Sequence, residues 1–215
     1  MSLDGKHILV TAGPTHEPID PVRVIANRSS GRQGFAIAAA AADAGARVTL
    51  IAGPVALETP SDVERVDVET AEEMAEAVFA SLPADAAILV AAVADWRVEP
   101  SAAKLKKGDG PPELSFIPTR DILAELGASV QRPRLLIGFA AETENVVEQA
   151  IAKRQAKSAH WIVANDVSGP REKSVMGGHR NQVYLITGDG VEDWPETSKD
   201  EVARHLIGRV AEALG

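Results

Sequence analysis

The stretch Asn27-Arg28-Ser29-Ser30-Gly31-Arg32-Gln33-Gly34, followed by an alanine-rich apolar run, carries the strongest chemical signal in the chain. It comes after His7-Ile8-Leu9-Val10-Thr11-Ala12, an apolar segment that reads as a buried first strand. Ser29, Ser30 and Gly31 let the backbone turn tightly, and a helix is expected from near Arg32. A helix start leaves N–H groups without intrahelical partners and carries partial positive charge, so it attracts phosphate. The same residues also suit a plain helix cap and turn. The loop Gly13 to Ser30 adds Thr15, His16, Asp20, Arg23, Asn27 and Arg28 at the carboxyl end of that strand, where open α/β sheets bind ligands. His16 is read as structural.

A second cluster follows Ala91-Ala92-Val93-Ala94-Asp95-Trp96. Small alanines admit a planar ligand close to the backbone, and Asp95 would emerge at a strand end to accept from an amine or help hold a metal. It would equally start a turn. Lys104-Leu105-Lys106-Lys107 comes next. It reads either as a solvated loop or as an ammonium clamp that closes over a polyphosphate. Lys153 and Lys157 stand i,i+4 on a helix, where like charges repel and favour a shared anion, or simply a solvated face. Gly138-Phe139-Ala140-Ala141-Glu142-Thr143 and Ala164-Asn165-Asp166 end two later strands. Phe139 either stacks on a base or packs into the sheet.

These groups need a frame, and the chain alternates strand and helix almost throughout. Strands are expected at Arg47–Ala52, Val63–Val68, Ala87–Val93, Leu135–Phe139, Trp161–Ala164 and Gln182–Thr187. Helices are expected from Arg32 to Ala44, ended by Gly45, from Thr70 to Ser81, and over Asp121–Leu126, Asn145–Ser158 and Asp200–Leu214. The rhythm gives an α/β fold: a Rossmann-like, mostly parallel sheet with helices on both faces, plus a C-terminal antiparallel extension. The whole of residues 1–215 is read as one domain. Glu99–Pro112 and Ser168–Asn181 read as long loops, a kind that is often functional.

Composition narrows the function. There are no cysteines, which excludes disulfides, thiolate catalysis and zinc–thiolate sites. A net charge of −9 argues against a nucleic-acid surface, though local cations can still hold a small anion. No apolar run is long enough to span a bilayer, so no membrane partner is expected and a cytoplasmic location is the default. A nicotinamide site is a further reading of the strand–turn–helix start. Against it, G-x-G-x-x-G is absent, and Ala52-Gly53-Pro54 stands where an acidic residue would hold a ribose.

Taken together and in order, these motifs resemble the phosphopantothenoylcysteine synthetase family of coenzyme A biosynthesis, in its bacterial type. The matching pieces are Thr11-Ala12-Gly13-Pro14-Thr15 with Glu17-Pro18-Ile19-Asp20-Pro21-Val22-Arg23, and Asn27 with Ser29-Ser30-Gly31 and Gly34. They continue with Ala91-Ala92-Val93-Ala94-Asp95-Trp96, Lys104-Leu105-Lys106-Lys107, Gly138 to Thr143 and Val163-Ala164-Asn165-Asp166-Val167. Trp96 stands where many relatives carry Tyr or Phe.

The resemblance implies a ligase that joins 4′-phosphopantothenate to L-cysteine. The acid would attack the α-phosphate of CTP to form an acyl-cytidylate, and the cysteine amine would then displace CMP. Mg²⁺ accompanies the nucleotide, and the metal ligands are not assigned. The resemblance further implies catalytic roles for Asn27, Arg23 and Lys104. It implies nucleotide contacts for Ser29, Ser30, Gly31, Gly34, Ala91, Ala92, Asp95, Lys104, Thr119, Arg120, Asp121, Ile122, Phe139, Lys153 and Lys157. A homodimer is expected, with the lysine loop near its boundary. Relatives are usually fused to a flavin-dependent decarboxylase, so the chain reads as a separate synthetase or as one half of such a protein.

Overall fold

The computed structural model describes residues 2–108, 112–167 and 180–215. Its elements are β1 (His7–Ala12), β2 (His16–Asp20), β3 (Arg23–Ala26), α1 (Arg32–Asp43), β4 (Arg47–Ala52), β5 (Val63–Asp67), α2 (Ala71–Ala80) and β6 (Ala86–Leu89). They continue with β7 (Trp96–Arg97), β8 (Ile117–Pro118), α3 (Ile122–Ala128), β9 (Leu135–Glu142), α4 (Val146–Ala156), β10 (Trp161–Asp166), β11 (Arg180–Ile186), β12 (Val191–Ser198) and α5 (Lys199–Leu214). The main sheet has the order β12-β11-β10-β9-β6-β1-β4-β5. All neighbours from β10 to β5 pair in parallel, and β11 and β12 add antiparallel. This is the expected α/β fold with its antiparallel extension.

Side chains alternate across each strand, so each strand feeds two cores. Ile8, Val10 and Ala12 of β1 join the core under α1 and α5, while Leu9 faces the core under α2 and α3. In β9, Leu135 and Ile137 face the first core and Leu136 the second. Ala140, Ala150, Ile162, Ala164 and Ile186 form a third cluster beneath α4. The helices supply matching stripes. In α5, Val202, Leu206, Ile207, Val210 and Leu214 are buried at helical spacing. Capping boxes start two helices: Thr70 with Glu73 for α2 and Ser198 with Glu201 for α5.

The structure corrects several expectations. The loop Gly13–Ser30 contains the hairpin β2–β3, and Trp96–Arg97 pairs with Ile117–Pro118 in a second small ladder. Both ladders stand off the main sheet at its carboxyl edge. The strand expected over Ala87–Val93 ends at Leu89. Beyond it the Thr11 hydroxyl of β1 accepts the N–H groups of Val90 and Ala91, each at 3.2 Å, and the backbone then follows the first loop. The strand from Leu135 runs on to Glu142, paired with Asp166 of β10. Most of the loop Ser168–Asn181, and residues 109–111 of the lysine loop, lie outside the described residues. No helix among the described residues is long and apolar enough to cross a membrane.

Gly34 sets how closely α1 lies on the sheet. A Cβ there would fall 2.5 Å from Ala12 Cβ and 3.1 Å from the Thr11 carbonyl oxygen. Gly34→Ala is therefore expected to lower the unfolding free energy by about 1–3 kcal/mol, an overpacking effect. Urea denaturation reads this as a lower midpoint at unchanged slope. An unchanged midpoint would mean that α1 is free to withdraw.

Candidate active site

Strand order decides where a ligand can sit. After β5 the chain returns to the other side of β1, so the order reverses between β1 and β6. Crevices form outside the carboxyl ends of strands at such a point. Here one of about 950 Å³ opens, walled by the ends of β1, β6 and β9, the start of α1, residues 90–95 and the facing sides of α3 and α4.

Residues 90–95 are held away from the sheet by the first loop. Ala92 N–H donates to the Gly13 carbonyl at 2.9 Å and Ala94 N–H to the Thr15 hydroxyl at 3.0 Å. Thr11 and Thr15 are buried, so these hydroxyls have no water to satisfy them. Asn27 closes the same corner, its Nδ2 lying 2.9 Å from the Val93 carbonyl and 3.3 Å from that of Ala92. Its donors are thereby engaged and its carbonyl oxygen is turned elsewhere. Gly31, at φ 74°, caps α1 without a side-chain cap, and its N–H is taken by Ser29 Oγ at 3.3 Å. The first intrahelical bond is Phe35 N–H to the Gly31 carbonyl. The amides of residues 32–34 precede that bond, and all three residues line the cavity.

On the far wall two of the cations, Arg120 and Lys157, are already matched. Arg120 bonds Glu72 and Glu125. Lys157 pairs with Asp121, which also caps α3 by accepting Ala124 N–H at 2.9 Å. Burial raises the Asp121 carboxyl, but bonds from Lys157 and Ala124 and the charges of Lys157 and Lys153 outweigh it and hold it below the ordinary value. The anion expected between Lys153 and Lys157 is thus, in part, a carboxylate of this chain. Phe139 packs half-buried against the core, and it also lines the cavity.

Of the residues singled out from sequence, Asn27, Ser29, Ser30, Gly31, Gly34, Ala91, Ala92, Asp95, Arg120, Asp121, Ile122, Phe139, Lys153 and Lys157 all line this one cavity. Arg23 and Lys104 do not. Arg23 is paired with the buried Asp20 and donates to the Leu105 carbonyl at 3.0 Å. Asp20 in turn accepts the Leu105 N–H at 3.1 Å. The pair therefore clamps the lysine loop one residue beyond Lys104. Sequence reasoning missed Gln33, Asn181 and Lys199, which are buried and line the cavity. No short-range pattern joins them, because α1 and α5 meet only in the folded chain. The nicotinamide alternative meets an obstacle at Gly53. The Pro14 carbonyl rests where a Gly53 Cβ would be, so the chain itself covers the end of β4 where a ribose would lie.

Fold and cavity together define an open α/β protein with a cavity at the carboxyl edge of a parallel sheet. The chain belongs to the family described as the DNA/pantothenate metabolism flavoprotein C-terminal domain, which matches residues 3–214. It is 44% identical over 214 residues to the coenzyme A biosynthesis bifunctional protein CoaBC of Escherichia coli, covering 96% of this chain and 52% of that protein. It is 42% identical over 212 residues to a cysteine/cysteine sulfinic acid decarboxylase from an unknown prokaryotic organism, covering 97% of this chain and 58% of the relative. The chain thus spans little more than half the length of these relatives. The crystal structure of the C-terminal domain of a CoaBC bifunctional protein is 42% identical, covers 98% of this chain and is itself covered to 96%, with a TM-score of 0.83.

The clamp on the lysine loop is testable. Hydrogen bonding from Arg23, against some opposing burial, holds the Asp20 carboxyl well below the usual carboxylate range. A depressed acid contributes fully above its unfolded value of about 3.9, and the contribution is lost only as pH falls through the lower folded value. Protection of the Leu105 amide from hydrogen exchange should therefore be constant between about pH 8 and pH 5. Asp20→Asn should reduce that protection on the order of tenfold. Equal protection in the variant would show that the loop is held by something else.

Proposed function

We propose that the chain is a phosphopantothenate–cysteine ligase that activates its acid with CTP. One observation carries this reading beyond family membership: all the separate motifs that suggested a synthetase, except those of Arg23 and the lysine loop, meet at a single cavity at the reversal of strand order.

In the proposed first step the carboxylate of 4′-phosphopantothenate attacks the α-phosphorus of CTP. The bond to pyrophosphate breaks and an acyl-cytidylate forms. The negative charge that gathers on the leaving group needs preorganised donors in a site shielded from water. The amides opening α1 suit that task, and Lys104 would be brought up by its clamped loop. In the second step the cysteine amine attacks the acyl carbon, CMP leaves, and the amine loses a proton to give the amide. The Asn27 donors already serve Ala92 and Val93, so its remaining oxygen is placed to accept from the incoming amine. An amide suits this role because it does not compete as a nucleophile. The backbone of Ala91–Ala94 and the loop around Phe139 would read the cytosine edge and reject a purine by size and pattern.

Mg²⁺ is part of the proposal. Among the described residues no group of three or more His, Asp or Glu could enclose a metal. Mg²⁺ commonly takes one or two carboxylates together with substrate phosphates and water, so a sparse site fits it. Asp95 and Glu142 line the cavity and would share the ion with the triphosphate, where it would offset phosphate charge.

We also propose a homodimer. Val22, Val24, Trp96 and Phe116 are exposed apolar side chains on or beside the two small ladders. Arg23 and Lys104 sit in the same projecting layer, outside the cavity of their own chain. A partner docked on this layer would bring such residues to a neighbouring cavity. A flavin-dependent decarboxylase segment is a further proposed neighbour, in keeping with the greater length of the bifunctional relative.

Incubation with CTP, Mg²⁺, 4′-phosphopantothenate and L-cysteine is expected to release pyrophosphate and CMP in equal amounts, faster than with ATP. No release with either nucleotide would overturn the ligase. Carbon dioxide from cysteine sulfinate without nucleotide use would favour the activity in the name of the decarboxylase relative. Sedimentation is expected to give a dimer, and Trp96→Asp a folded monomer. A monomeric parent chain would rule out the shared-cavity arrangement.

A further inference from the structure

The segment between α3 and β9 meets the turn before β10 at the amino edge of the sheet, the side away from the cavity. There Arg132, Arg154 and His160, all half-buried, come together. None of the three lines the cavity. The six residues of β10 run from this edge to the other, roughly 20 Å at about 3.3 Å per residue.

The backbone fixes the ring. His160 N–H donates to the Leu136 carbonyl at 2.9 Å, and Leu136 N–H donates back to His160 Nδ1 at 2.8 Å. Nδ1 is thereby an acceptor, so the proton of the neutral ring sits on Nε2. That nitrogen lies 3.1 Å from Arg132 Nη2, which can only donate. Two N–H groups therefore face each other with no acceptor between them. The Nε atoms of Arg132 and Arg154 are also buried without a hydrogen-bond partner. Among the described residues neither arginine pairs with a carboxylate, whereas Arg65, Arg120 and Arg209 each do. Burial, and then the charges of Arg132 and Arg154, press the His160 ring toward neutrality. The last turn of α4 accounts for Arg154, whose charge suits the helix carbonyls there. It accounts neither for Arg132, which comes from another segment, nor for a donor facing a donor. Buried donors are nearly always satisfied, so this corner is shaped for acceptors that the chain does not provide.

We propose that this corner is an oxyanion site, separate from the catalytic cavity, in which Arg132, Arg154 and the Nε2–H of His160 hold a phosphate group. The inference does not depend on the ligase reading. Phosphate suits the corner on chemical grounds. Guanidinium forks match its oxygens in pairs, and it offers more acceptors than a carboxylate to donors arriving from three segments. The neutral imidazole adds a donor without adding a third positive charge.

Residue-resolved NMR with inorganic phosphate tests the site, because a signal at His160 is separate from that of phosphate entering the cavity. In the parent chain the Leu136 amide and the His160 ring nitrogens are expected to shift saturably with phosphate, and not with chloride at matched ionic strength. Arg132→Gln and Arg154→Gln should each weaken that titration at least about tenfold and leave phosphate shifts at Gly34, on the cavity wall, unchanged. Arg132→Lys keeps the charge but not the fork, and should fall between parent and Arg132→Gln. In chloride alone neither glutamine variant should lower the thermal midpoint, since each removes a repelling charge. Phosphate should raise the midpoint of the parent chain more than that of either variant. Glycerol phosphate, run beside inorganic phosphate, distinguishes a phosphate monoester from the free ion by which of the two saturates at lower concentration. No saturable shift in the parent chain, or equal affinity in a folded Arg132→Gln chain, would overturn the site. A lower midpoint of the variants in chloride would make the arginines structural and overturn it as well. Acetate that moves the same signals as strongly as phosphate would assign the corner to a carboxylate of another chain and remove the phosphate reading.

Discussion

The wall of the cavity at residues 90–95 exists because the backbone after Leu89 stays bound to the end of β1 and to the loop that leaves it. Thr11 and Thr15, both buried, offer hydroxyl oxygens to the amides of Val90, Ala91 and Ala94, and Gly13 offers its carbonyl to Ala92. Val90 still reaches the Thr11 carbonyl of β1, and Ala92 bridges Pro14 in parallel, while Ala91 and Ala94 are satisfied by hydroxyls. This wall stands at the reversal of strand order, where neighbouring connections leave in opposite directions. A crevice opens there, and Asn27 ties its corner shut by donating to the Ala92 and Val93 carbonyls.

Much of this was legible in the sequence, for a physical reason. Strand and helix identities depend on local periodicity and caps, so β1, β4, β5, α2 and α3 fell close to their expected bounds. The carboxyl edge of the sheet was legible too, since parallel strands expose all their ends on one side. What escaped was whatever depends on partners distant in the chain. Val90-Ala91-Ala92-Val93 has the composition of a buried strand, and only Thr11 and Gly13 in three dimensions show otherwise. Glu17 was expected in a long loop, yet it lies in β2, is buried and accepts the first amide of α2 at 2.9 Å. Asp20 and Arg23 stood only among the polar residues of the first loop, and nothing in that loop told of their hold on Leu105. Gln33, Asn181 and Lys199 share no motif, because the antiparallel extension alone carries α5 to the start of α1.

Charge is distributed along the cavity rather than spread evenly. Near α3 and α4, each of Arg120 and Lys157 is balanced by carboxylates of the chain. That end has fixed dipoles and little net charge, an environment that can read a polar, uncharged base by pattern. Near α1 and α5, the amides of residues 32–34 precede the first intrahelical bond and face the cavity. A long substrate with one charged end and one neutral end would have a single favourable direction in such a space. The global charge of −9 has little bearing on this, since exposed distant charges are screened while buried neighbours are not.

The clamp at Leu105 also fixes how freely a flexible side chain can search. A lysine in the middle of an unanchored loop samples a large volume, and its effective concentration at any target is low. Pinning the backbone one residue away shrinks that volume to the reach of a single side chain. The pin belongs to the hairpin, so displacement of the hairpin carries the ammonium with it. Anything that presses on Val22 or Val24 would thereby retune a charge without touching it.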